Sequence, residues 1–170
     1  MNKFKNLIVL GPLIYAIHHF EEHVIFNFRE WRLSYFSDNN SITTEAILII
    51  LISQFLIFIF VHLIKNNRGS AHLVLFFLMT TQVINAFFHV FFSFYFNDFS
   101  PGAMTAVLLY LPVNYFIIRA ALQEGYIKSY VELLILFLSV ITTFTLFEMM
   151  GTHILGYTLI LMPIYYLTIN

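Results

Sequence analysis

Residues 45–64 read EAILIILISQFLIFIFVHLI, and this stretch decides the environment in which the chain folds. It is apolar over close to the roughly 20 residues that a helix needs to cross about 30 Å of hydrocarbon. Open sheet edges are not tolerated in lipid and period-2 alternation is absent, so a helix is the expected element. Five further apolar stretches accompany it, at approximately 6–27, 72–96, 102–121, 131–149 and 153–168. The last is short and contains Pro163. The expected fold is all-α: a polytopic membrane helix bundle of about six transmembrane helices, forming one membrane-embedded domain over residues 1–170.

Composition points the same way. Of 170 residues, 60% are hydrophobic and only 10% charged, and the mean hydropathy is +0.84. A soluble domain carries about a quarter charged residues to face water. Eight Lys+Arg against nine Asp+Glu, a net charge of -1, cannot cover such a surface. A soluble globule, a disordered chain, a disulfide-stapled module and an electrostatic nucleic-acid binder are all excluded. With no cysteine, thiolate nucleophiles, Cys-ligated zinc and iron–sulfur clusters are excluded too. Lys3 and Lys5 before the apolar run from Leu7 to Ile17 superficially resemble a secretory signal. No small-residue cleavage site follows, so this run is expected to stay as a first transmembrane helix. Lys3, Lys5, Lys65, Arg68, Arg119 and Lys128 then fall on one side of the membrane, and only Arg29 and Arg32 on the other. That asymmetry predicts a multi-pass protein of the cell membrane with both termini cytoplasmic. The loop at about 28–44 holds Trp31, Tyr35 and Phe36 among charges, which suits the interfacial belt.

Polar groups inside hydrocarbon cost several kcal/mol if unpaired, so each marks a candidate site. At 1.5 Å per residue, Glu22 lies about 22 Å in from the cytoplasmic side, Asn85 about 18 Å, His89 about 24 Å and Glu148 about 22 Å. His153 opens the sixth stretch on the same outer side. Four helices therefore place their most polar residues at one depth. Faces agree as well: His18, Glu21 and Glu22 are spaced i, i+3, i+4, and Tyr15, His19, Glu22 and His23 form an overlapping stripe. Gln82, Asn85, His89 and Ser93 make one polar line along the third stretch.

His18-His19-Phe20-Glu21-Glu22 is a His-x-x-Glu-Glu motif inside the first apolar helix. Downstream come Asn85-x-x-x-His89 and Pro101-Gly102-Ala103-Met104-Thr105-Ala106, with Pro112 later in the fourth stretch. Together these resemble the HXXEE-domain family of small bacterial membrane proteins over roughly residues 10–150. The resemblance implies an architecture in the bacterial inner membrane and a site at these residues, but no reaction.

Imidazole nitrogen and carboxylate oxygen suit Zn²⁺, Fe²⁺ or Mn²⁺, so His18, Glu22, His89, His19 and His23 are candidate ligands of a divalent transition metal. Glu21 and Glu22 are candidate general bases, and two adjacent carboxylates in lipid call for a neutralising cation or a shared proton. The competing reading is an interhelical hydrogen-bonded cluster. Asn85 is expected to orient His89 or a carboxylate; Tyr15, Gln82, Glu148 and His153 complete the candidate pocket. His19-Phe20-Glu21-Glu22-His23 also matches an inverted zinc-peptidase string, but the large soluble fold such enzymes need is missing. A di-iron bundle would need Glu-x-x-His on two helices, which the chain lacks. His62 and His72, near cytoplasmic helix ends, are expected to snorkel.

These parts favour a metal-dependent hydrolase or transferase acting on a membrane lipid or apolar small molecule. A proton- or ion-coupled transporter is the alternative, although no inverted repeat is visible. A structural subunit whose polar cluster fixes helix packing is the third reading.

Overall fold

The computed structural model describes residues 3–169. Among them, the chain forms α1 (Lys3–Leu7), α2 (Leu10–Phe20), α3 (Phe28–Tyr35), α4 (Thr44–Lys65), α5 (Arg68–Tyr95), α6 (Ala103–Gln123), α7 (Tyr130–Met150) and α8 (His153–Ile169), with no strand. Local chemistry sets the boundaries. Thr43 accepts from the Ala46 amide to start α4, Asn67 and Ser70 form a reciprocal capping box at α5, and Ser129 accepts from the Glu132 amide at α7. Asn66 closes α4 in the left-handed conformation that asparagine tolerates.

Four helices, α4 to α7, are long and apolar enough to cross a membrane. This corrects the expectation of six. The first stretch breaks at residues 8–9, and α2 with its continuation to Ile25 rises only roughly 24 Å, short of the hydrocarbon thickness. The sixth forms a single helix of 17 residues with Pro163 inside it.

Three helices widen into π turns: Glu21–Ile25 continues α2, Met79–Ile84 lies within α5, and Ala106–Tyr110 lies within α6. Two have identifiable causes. Thr80 and Thr81 hydroxyls donate back to the Phe76 and Phe77 carbonyls, competing with the helical ladder. Pro112 cannot donate to the ladder and crowds the turn before it, where the α6 π segment sits.

The main core lies toward the lysine-rich end, where Phe4, Ile8, Phe55, Leu75, Leu78 and Ile117 are buried together. The large apolar side chains left exposed, such as Ile57, Phe60, Phe94, Leu108 and Leu167, form the surface that hydrocarbon would cover. At the lysine-rich end His62 and His72 are fully buried instead of snorkelling. His62 Nδ1 meets Ser70 Oγ at 2.9 Å; His72 meets the Tyr165 hydroxyl at 2.8 Å and the Tyr126 carbonyl at 2.9 Å. The α4–α5 turn tucks both rings beneath neighbouring helices, and Arg68 pairs with Glu132 beside them.

At the opposite end, residues 28–44 fold over the bundle, with α3 as their ordered part. Trp31 is buried, Tyr35 stacks on Phe96 at 4.0 Å, and Arg32 pairs with Glu148 of α7 at 3.0 Å. The segment is thus tied down by specific contacts as well as by its aromatic residues.

Helix packing near the middle is tight enough to test. A Cβ added at Gly11 would lie 2.5 Å from the Phe55 ring, whereas one at Gly156 meets nothing within 4 Å. Gly11→Val should therefore lower the melting temperature of detergent-purified protein, by an overpacking cost of about 1–3 kcal/mol. Gly156→Ala should leave it unchanged or raise it slightly, since alanine is favoured by roughly 0.5–1 kcal/mol in a helix interior. Equal effects of the two changes in a thermal melt would contradict this packing.

Candidate functional site

The site is built where α2, α5 and α6 meet. His18 and Glu22 are one turn apart on α2 and its π extension, and His89 comes from the C-terminal half of α5. All three are buried. Glu22 Oε1 lies 3.4 Å from His18 Nε2 and 3.1 Å from His89 Nε2. Its other oxygen, Oε2, lies 2.6 Å from His19 Nδ1 and 3.7 Å from His23 Nε2. Two overlapping groups result, His18–Glu22–His89 and His19–Glu22–His23, each able to offer three atoms within 4.8 Å of one another.

The remaining ring nitrogens fix the orientation. His18 Nδ1 lies 2.9 Å from Thr105 Oγ1, whose own proton goes to the Gly102 carbonyl. With that proton placed on Gly102, Thr105 accepts from His18 Nδ1–H, and Nε2 is the nitrogen that faces Glu22. His89 Nδ1 meets Ser100 Oγ at 2.9 Å. His18 Nε2, His89 Nε2 and His19 Nδ1 thus all converge on the one Glu22 carboxylate. A carboxylate buried among imidazoles needs a positive charge, carried by a protonated ring or by a cation held between the groups. The donor set and its spacing fit a divalent ion.

Gly102 roofs the cluster. Its φ of +95° is in the left-handed region, and an added Cβ would fall 2.8 Å from His18 Cε1, 3.0 Å from Glu22 Cγ and 3.1 Å from His89 Cε1. Tyr110 packs on the His18 ring at 4.3 Å, and Phe28 covers His89 at 5.2 Å.

Glu21 is occupied elsewhere. Its carboxylate accepts from the backbone amides of Gly102 (3.2 Å), Met104 (3.3 Å) and Thr105 (2.8 Å). Those amides open α6, where unpaired N–H groups and the helix dipole favour an anion. The two adjacent carboxylates thus point to different partners, and Glu21 needs no cation to be stable.

Several other expected members sit differently. Tyr15 is buried against His19, ring to ring at 4.2 Å. Asn85 lines the neighbouring cavity and does not orient His89, a role that Ser100 fills. Gln82 lies deeper, donating to the Gly11 carbonyl and accepting from Asn114. Glu148 reaches the cavity wall but is neutralised by Arg32. His153 is exposed and outside both histidine groups. Its place at the start of α8 turns it away from the α2–α5–α6 junction. Thr105, Ser100 and Gly102 were not anticipated as supports of the histidines, although Gly102 and Thr105 lie inside the Pro-Gly-Ala-Met-Thr-Ala string.

A cavity of about 440 Å³ adjoins the cluster. Tyr15, His19, Glu22 and His23 form part of its wall, and Leu51, Phe58, Phe77 and Phe147 line its apolar part. Thr44 and Phe58 both border it, and the helical rise between them is about 21 Å.

The molecule is therefore a helical protein with four helices fit to cross a membrane and a buried His/Glu cluster that could bind a metal. The chain belongs to the family described as proteins of unknown function with an HXXEE motif, whose family model matches residues 9–117. No curated protein and no solved structure matches it.

Because Glu21 is held by three amides, Glu21→Gln should lower the melting temperature while leaving metal content intact. Placing an NH₂ group against backbone donors should cost about 1–3 kcal/mol. Loss of bound metal with an unchanged melting temperature would show that Glu21 serves the cluster instead.

Proposed function

We propose that the protein is a membrane-embedded, metal-dependent hydrolase or transferase acting on a lipid or other apolar small molecule, in the inner membrane of a bacterium. The observation that carries this reading is the buried convergence of His18 Nε2 and His89 Nε2 on one oxygen of the Glu22 carboxylate, at 3.4 and 3.1 Å. The adjoining cavity supports it, since its apolar lining is long enough for an acyl chain and its polar end carries Glu22, His19 and His23.

In this reading His18, Glu22 and His89 hold a Zn²⁺, Fe²⁺ or Mn²⁺ ion. Such an ion supplies Lewis acidity and lowers the pKa of a water. Thr105 and Ser100 keep the His18 and His89 rings in the ligating orientation. Glu21 anchors α6 and with it the Gly102 roof, so proton transfer passes from Glu21 to residues facing the cavity. His19 is placed for it, at the cavity wall with Nδ1 2.6 Å from Glu22 Oε2. The apolar lining excludes water from the substrate's chain, and the segment of residues 28–44 limits access at the polar end.

The cavity has its polar residues at the end away from the lysine-rich turns, where Lys5 donates to the Leu63 carbonyl and Arg68 to Tyr126. With that basic end cytoplasmic, the site opens toward the outer leaflet and both termini lie inside. A reporter active only outside the cytoplasm, fused after residue 170, should stay silent. Strong activity would reverse the orientation.

Protein purified in detergent without chelator should contain stoichiometric Zn, Fe or Mn. Glu22→Gln should abolish that metal while leaving the helical content intact, because glutamine keeps the size but removes the charge that offsets the cation. A metal-free wild-type protein would falsify the proposal. A variant that is silent in both metal content and melting behaviour would point to a cluster that only fixes packing.

A further inference from the structure

A single ion bound by His18, Glu22 and His89 leaves unexplained two of the four imidazoles that face Glu22. Glu22 faces four imidazoles and its two oxygens divide them: Oε1 toward His18 and His89, Oε2 toward His19 and His23. His19 and His23 are one helical turn apart with parallel rings, 5.6 Å between centroids and 11° between planes. Two histidines at i and i+4 on one helix face are a recurrent way to chelate an ion. They border the cavity, and His19 Nδ1 lies 2.6 Å from Glu22 Oε2. A proton-transfer residue needs only one free nitrogen; a ligand pair needs a shared oxygen, and Glu22 Oε2 is that oxygen.

We infer that the site holds two divalent ions bridged by the Glu22 carboxylate, one buried between His18 and His89 and one at the cavity between His19 and His23. This rests on the metal reading above and reassigns His19 from proton transfer to ligation. Each ion receives two imidazole nitrogens and one carboxylate oxygen. Three protein ligands with a position left open is the pattern of catalytic sites, whereas structural sites close all four. Paired ions about 3.5–4 Å apart clamp both the attacking and the leaving oxygen of a displacement. Two divalent ions against one carboxylate leave a positive excess at the polar end of the cavity. Arg29 and Arg32 there are already paired, with Asp38 and Glu148. The excess suits an anionic head group on the apolar substrate.

The test uses full-length protein in detergent, stripped with chelator and equilibrated with Mn²⁺. Wild type should take up two ions per chain and give the spin-coupled electron paramagnetic resonance spectrum of a bridged pair. His19→Ala and His23→Ala should each reduce uptake to one ion with an isolated-ion spectrum, and Glu22→Gln should lose both. One ion in wild type, unchanged by His19→Ala, overturns the pair and leaves the single-ion reading standing. Two ions without spin coupling overturn the bridge. No ion at all overturns both readings. The wild-type spectrum decides the matter even if a variant fails to fold.

Discussion

The constraint on which this structure turns is the burial of two adjacent carboxylates in an apolar bundle. A buried charge is tolerated only when paired and hydrogen-bonded. The chain meets that demand twice, with different chemistry for each residue. Glu21 takes three amides at the start of α6; Glu22 takes imidazoles from its own helix and from α5. Together they fasten three helices at one point. Gly102 then lies against the cluster so closely that no side chain fits there. The first solution is complete in itself, whereas the second gathers four imidazoles around one carboxylate.

The three π segments fall in the helices that build this junction: the continuation of α2, the middle of α5 and the start of α6. Such segments widen a helix by one residue and recur at functional sites. Here the one in α2 carries Glu21, Glu22 and His23 themselves. It re-aims successive side chains, so that neighbours in sequence reach different partners.

The two ends of the bundle use the same residue types differently. At the lysine-rich end, His72 has both nitrogens satisfied by Tyr165 and Tyr126, and Arg68 pairs with Glu132. That end is sealed by its own contacts. At the other end, His18 and His89 have one nitrogen satisfied and one directed into the cluster. A cavity opens beside them, between the helices and the segment of residues 28–44. Histidine alone does not separate packing from chemistry; the convergence of several rings on one carboxylate does.

Hydrophobic composition by itself determined the all-helical class, because backbone groups in hydrocarbon must be satisfied within each segment. Helical spacing also made the convergence of His18, Glu22 and His89 readable, since depth depends only on where a span starts. Span count was less readable, because apolar length does not reveal a break such as that at residues 8–9. Tertiary structure alone decided which way each polar group turned. Glu21 and Glu22 are equivalent in any one-dimensional reading, yet a π turn and the approach of α6 send one to backbone amides and the other to imidazoles. Likewise, counting along the sequence put Asn85 and His153 level with the site, while in the structure Ser100 and Thr105 hold the histidine rings. Depth follows from counting residues along one helix; direction depends on which helix packs beside it.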